Sequence, residues 1–168
     1  MMKIRLPKNL AKRWHKALTD AGSKEIGGVI FAEQLIPGDF RIVDFTLQKI
    51  WGGTPTSFRR NGSDARRQVL ELHEAFGNEP NRFNYFGEWH SHPNAPPIPS
   101  LQDELTMRQL LAEQGDAVNF LVLIIAKLIQ QNQLGLEPVA YLSSGQKIAC
   151  EINVEDFDMP TRAMLKRI

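Results

Sequence analysis

Cysteine is nearly absent from this sequence. Cys150 stands alone, so no internal disulfide can form, and with no Cys-x-x-Cys pair there is no thiolate-based structural zinc site. Cys150 follows an apolar stretch and reads as a small buried hydrophobe. An excess of charge of either sign is also missing. The formal net charge is +1, which leaves no electrostatic footprint for nucleic acid or an acidic membrane surface. Long apolar runs are missing too. The longest, Phe120 to Ile129, is too short to cross a bilayer, and Lys127 interrupts it. Met1 to Pro7 has no apolar segment of the secretory kind. Internal repeats and low-complexity segments are absent. The expectation is a soluble cytoplasmic protein that engages neither nucleic acid nor membrane.

What is present suits a single domain spanning 1–168. The chain is long enough to bury a core unaided, and 42% of it is hydrophobic. Leu10, Trp14, Ala17 and Leu18 recur at helical spacing and predict a helix from Leu6 to Ala21, closed by Gly22. Glu25 to Glu33 and Phe40 to Gln48 predict strands joined at Pro37-Gly38-Asp39, a hairpin. Trp51 to Phe58 reads as a loop. A second helix begins near Ser63, with Val69, Leu70, Leu72, His73 and Phe76 as its stripe, and ends at Gly77-Asn78. Asn84 to His92 predicts a strand, Ser100 to Gln114 a helix, and Asn119 to Ile129 a strand covered on both faces. Strands over Leu136 to Ser143 and Lys147 to Val154, then a short helix in Pro160 to Ile168, complete the pattern. Helices alternating with hairpin-like strands point to the α/β (α+β) class, a mixed sheet flanked by helices.

The chemistry concentrates in Glu88-Trp89-His90-Ser91-His92-Pro93 and Ser100-Leu101-Gln102-Asp103. Residues two apart on a strand share a face, so His90 and His92 project together, with Trp89 and Ser91 opposite. Prolines at 93, 96, 97 and 99 stiffen a loop that can return Asp103, on the next helix's first turn, to that face. Two imidazoles and one carboxylate leave a fourth tetrahedral position open, the catalytic rather than the closed structural pattern of zinc. Each half has a plainer reading. His-x-His on a strand is commonly structural, and Ser100-x-x-Asp103 is also a capping-box pattern. Their joint spacing is what carries weight. A general base must be a carboxylate nearby, and Glu25, Glu33 and Glu88 all qualify on spacing alone.

His90-x-His92-Pro93, the seven residues 93–99, Ser100, two residues and Asp103 resemble the JAMM (MPN-plus) motif of a metallopeptidase family at every defining position. Glu25-Ile26-Gly27-Gly28 resembles the family's upstream Glu-x-x-Gly. The resemblance covers most of the chain in coarse order. It implies a curved, cytidine-deaminase-like mixed sheet and Zn²⁺ held by His90, His92 and Asp103. It also implies Glu25 as general base and Ser100 as hydrogen-bond donor to a developing oxyanion. The implied activity is a zinc-dependent isopeptidase, hydrolysing the amide bond after the C-terminus of a ubiquitin-like modifier or similarly conjugated protein. Such a tail would enter as an added strand at a sheet edge beside the metal. Related members act on small peptides or sulfur-carrier proteins, and others are non-catalytic scaffolds. Residues 87–93, with Thr54 to Arg59, resemble a bacterial subgroup found beside ubiquitin-like conjugation genes, including the deconjugating peptidase of antiphage CBASS operons. That likeness implies E1-like and E2-like partners.

His15 and His73 lack a ligand-spaced companion and are given no role. Trp14, Trp51 and Trp89 are expected in the core, with Trp51 also placed to line a groove. Arg59, Arg60, Arg66 and Arg67 form a basic cluster, read as a solvated helix face or a dock for an acidic partner.

Overall fold

Met2 to Pro7 alternates apolar with polar residues. In the computed structural model, which describes residues 1–48 and 62–165, this run is a strand, β1 (Met2–Pro7). Met2, Ile4 and Leu6 are buried while Lys3 and Arg5 face outward, the period of two that a half-buried strand requires. The first helix, α1 (Lys8–Ala21), therefore starts after Leu6, with Pro7 at its N-cap. Gly22, at φ 58°, ends it as expected.

The hairpin forms from β2 (Gly27–Ile36) and β3 (Asp39–Phe45), turning at Gly38 with φ 82°. Then come α2 (Gly62–Ala75), β4 (Phe83–Ser91), α3 (Leu101–Glu113), β5 (Phe120–Ile129), β6 (Gln133–Leu142), β7 (Lys147–Glu155) and a short α4 (Arg162–Leu165). Among the predicted positions, Trp51 and the segment Thr54 to Arg59 lie outside the described residues.

The sheet is mixed, as expected, and its curvature runs to closure. The strand order is β1-β3-β2-β4-β5-β6-β7, and β1 pairs in parallel with both β3 and β7. β4 and β5 form the other parallel pair. The inward faces of the strands share one core with the Leu10–Trp14–Leu18 stripe of α1. Trp14 stacks on Phe45 at 4.5 Å between ring centres and meets Trp89 edge-on at 5.1 Å.

Two helices pack on the outside. α2 lays Ala65 and Leu72, with Phe76 just beyond its end, on Val29, Phe31 and Val43. Leu70, expected in that stripe, is 64% exposed. At about 100° per residue it lies some 200° round the helix from Leu72. α3 lays Met107, Leu110 and Leu111 on Leu121, Leu123 and Ile125, the outward face of β5. That strand is thus covered on both faces, as its unbroken apolar run requires.

Candidate metal centre

The site forms where β4 ends beside the first turn of α3. A β-bulge sets which way the β4 side chains point. Ile30 pairs with Gly87 and Phe31 with Tyr85, leaving Phe86 as an extra residue. Phe86 and Trp89, three apart, consequently both face the inner core, while Tyr85 packs on the outer clusters. Beyond the bulge, Trp89 points inward and His90 outward, sharing a side with its partner Ile125 under α3. The indole Nε1 of Trp89 donates to the Thr46 carbonyl at 2.9 Å. Gly28, opposite Trp89, makes room for that strand end, since a Cβ there would lie 2.0 Å from the Thr46 oxygen.

His90 and His92 are both buried, with their Nε2 atoms 3.0 Å apart. Asp103 Oδ1 lies 3.1 Å from His90 Nε2, and its Oδ2 lies 3.5 Å from His92 Nε2. The Nδ1 of His92 faces the Pro96 carbonyl at 3.0 Å. That contact needs a proton on Nδ1, so the neutral ring turns a bare Nε2 toward the other two groups. The bare Nε2 of His92 and the Asp103 carboxylate thus converge on the Nε2 of His90, and a cation among them could take a lone pair from each of the three side chains.

The proton affinities say the same. The Asp103 hydrogen bond raises the His92 pKa above the usual imidazole value against the opposing effect of burial, helped by the Pro96 carbonyl and the charges of Asp103 and Glu25. Burial pushes the Asp103 carboxyl up, but hydrogen bonds from His90, His92 and Ser100 outweigh it and hold the group far below the usual carboxylate range. Tetrahedral zinc with bonds of about 2.0–2.1 Å sets neighbouring ligand atoms about 3.3 Å apart. The observed spacing fits a small divalent ion, and these three residues can hold one.

Glu25 is brought to the same place by backbone pairing. It lies two residues before β2 rather than within it. Gly27 pairs with His90, and Ile26 is held on both sides by Ser91: its N–H donates to Ser91 Oγ at 3.0 Å, and its carbonyl accepts from Ser91 N at 2.8 Å. Glu25 thereby lies close enough for its charge to act on His92. Ser100 caps α3. Its Oγ accepts from Asp103 N at 3.2 Å and donates to Asp103 Oδ2 at 2.7 Å, while its N–H donates to the same oxygen at 2.7 Å. The capping box and the metal-ligand arrangement are one structure.

The family described as prokaryotic homologs of the JAB domain matches residues 7–139. The chain belongs to this JAB family. Among curated proteins, none matches it. A solution structure of a Desulfitobacterium hafniense protein is similar with a TM-score of 0.68 and 16% identity, covering 93% of this chain and 94% of the other. A second, from Salinibacter ruber, is similar with a TM-score of 0.54 and 15% identity, covering 94% and 95%. At such identities the likeness shows the fold.

Other sequence expectations for this JAB-family chain divide cleanly. Glu33, one of the three carboxylates that spacing allowed as base, lies away from the histidines. It is buried at the far end of β2, paired with Arg82 at 2.7 Å and Arg41 at 3.7 Å, and its strand partner is Phe83 rather than His90. Glu88, the third candidate, is buried, and the Tyr85 hydroxyl donates to its Oε1 at 3.3 Å. His15 Nε2 lies 2.8 Å from the Asn132 carbonyl, and His73 packs edge-on against Phe31, neither near the site's ligands. Trp14 and Trp89 are fully buried. Cys150 is half-buried against the core, and burial pushes its thiol up to about 11, so it is not a nucleophile at neutral pH. Arg67 is already paired with Asp64 and Glu71, which weakens the idea of an acidic dock. Arg59 and Arg60 lie outside the described residues. β4 is paired along both sides, with β2 and β5. An incoming tail therefore cannot add to β4 itself. Among the described residues no helix is long and apolar enough to cross a membrane.

Proposed function

We propose that this chain is a zinc-dependent metallopeptidase of isopeptidase type. Its substrate would be the amide bond that follows the C-terminus of a ubiquitin-like modifier or similarly conjugated protein. The observation that carries the reading is a carboxylate, Glu25, held beside three converging ligands, His90, His92 and Asp103. A structural metal site needs no such neighbour. Zinc bound there would supply Lewis acidity and bring the pKa of water down to about 7.

The chain's own groups divide the remaining work. Glu25 takes a proton from the attacking water and passes it to the leaving amine, a lysine ε-amine or a peptide nitrogen. Ser100 orients Asp103 in the resting arrangement. Serving as oxyanion donor requires its hydroxyl to rotate away, because it has one proton to give. The resemblance of Gly87 to Pro93 to the antiphage subgroup extends the proposal to bacterial defence, with E1-like and E2-like proteins as partners.

The test uses fusions ending in ubiquitin-like tails, set against free dipeptides, with zinc-loaded protein. Cleavage at the tail junction is expected. Glu25→Gln should lower it by about 10²–10⁴-fold, the usual worth of general acid–base catalysis, with zinc still bound stoichiometrically. Undiminished cleavage by that variant would remove Glu25 from the role. Cleavage of dipeptides alone would change the substrate class.

A further inference from the structure

β5 is apolar from Phe120 to Ile129 except for Lys127. A lysine in such a strand gives up hydration and rotamer freedom, so its contact calls for an explanation. Its Nζ donates to the Ala95 carbonyl, in the proline-rich loop, at 2.7 Å. Among the described residues it has no carboxylate partner. The next carbonyl along the loop, that of Pro96, is the one that faces His92 Nδ1 at 3.0 Å. The residue before Lys127, Ala126, accepts the His92 backbone N–H at 3.1 Å. β5 thus grips the His92–Pro96 turn at both ends.

We propose that Lys127 is a positioning residue, which orients the His92 ring by fixing the peptide plane that leads into Pro96. The argument is local stereochemistry. The Ala95 carbonyl and the Pro96 nitrogen share one planar peptide, so holding the oxygen fixes that plane. The Pro96 ring locks φ, and Pro97 restricts ψ of the residue before it. Once the plane is fixed, the Pro96 carbonyl has little freedom left. It holds the proton on Nδ1 of His92 and leaves Nε2 aimed at His90 and Asp103. Partners of this kind, one step behind a metal ligand, are commonly worth about 10–100-fold in metal affinity. Lys127 acts one bond further back, so about tenfold is expected, at the low end of that range.

The inference rests on His92 being a metal ligand, and the test separates the two claims. Zinc affinity is measured by chelator competition on folded protein, and the Co²⁺ absorption spectrum reports coordination geometry. The parent chain is compared with Lys127→Met, of similar length but without a donor, and with Lys127→Arg, which keeps one. Lys127→Met should bind zinc about tenfold more weakly and give an altered Co²⁺ spectrum, while Lys127→Arg recovers most of the affinity. A merely structural lysine would lower thermal stability and leave both readouts alone. Parent-like affinity and spectrum in Lys127→Met overturn the proposal, as does equal loss in Lys127→Met and Lys127→Arg. Failure of the parent chain to bind zinc overturns the metal-ligand reading and this inference with it. Should Lys127→Met not fold, Lys127→Leu, which also lacks a donor, is read against the same outcomes.

Discussion

Gly87 decides where the histidines point. It takes φ 144°, outside the range open to other residues, and a Cβ there would lie 1.9 Å from the Val122 carbonyl oxygen. It also stands at the bulge that sends Phe86 inward and His90 outward. Gly87→Ala should therefore destabilise the fold by more than about 3 kcal/mol, the range of severe backbone and packing defects. Any protein that survives should bind zinc poorly, because its strand can no longer keep the bulge. Urea unfolding with a midpoint close to the parent's would contradict this. Strand parity correctly put His90 and His92 together from the sequence, since it holds over two residues beyond the bulge. It could not show the bulge itself, although a glycine inside a strand pattern is the usual hint of one. The choice of Glu25 over Glu33 and Glu88 needed the family resemblance. Spacing cannot see that Ser91 clasps Ile26 from both sides, sixty-five residues away in sequence.

α3 shows one element serving two ends. Ser100 and Asp103 form a capping box, and Asp103 is at the same time the third of the residues that could hold a metal ion. The two readings of Ser-x-x-Asp weighed on the sequence are thus compatible in one geometry. Ser100→Ala removes the cap and the hydroxyl that steadies Asp103. It should cost about 1 kcal/mol of stability, as N-cap losses do, and weaken zinc binding as well. A role confined to the oxyanion would lower turnover alone, with affinity and stability unchanged, so chelator titration beside thermal melting distinguishes them. Elements with a strong period were legible: α1, the β2–β3 hairpin, α3 and β5 lie close to where spacing put them. β1 was not, although Met2, Ile4 and Leu6 alternate plainly. Its six residues run straight into helical spacing, and Pro7 reads as a helix start from either side.

At the scale of the molecule, that one short strand separates a curved sheet from a closed one, because β1 bridges β3 and β7. Closure is a property of distant pairing and leaves little trace in local pattern. Metal binding is likewise a whole-molecule quantity, since an ion that binds only the folded chain stabilises all of it, by about 2.7 kcal/mol at a hundred times its Kd. The signs follow from the two shifted groups. His92 has its folded pKa raised, so without metal its contribution is complete below the unfolded value of about 6.5 and is lost as pH rises through the folded pKa. Asp103 has its folded pKa lowered, so its contribution is complete above the unfolded value of about 3.9 and is lost as pH falls through the folded pKa. The metal-free chain is accordingly best served by this pair in mildly acidic solution, where aspartate and imidazolium coexist. Zinc reverses the demand on His92, because it takes the neutral ring and must displace the proton. Its stabilising effect should therefore grow as pH rises from mildly acidic solution through the raised folded pKa of His92, and level off once His92 is neutral in the free protein. Melting temperatures taken with and without zinc at the two ends of that range measure it. An equal gap at both would mean that His92 does not bind the metal.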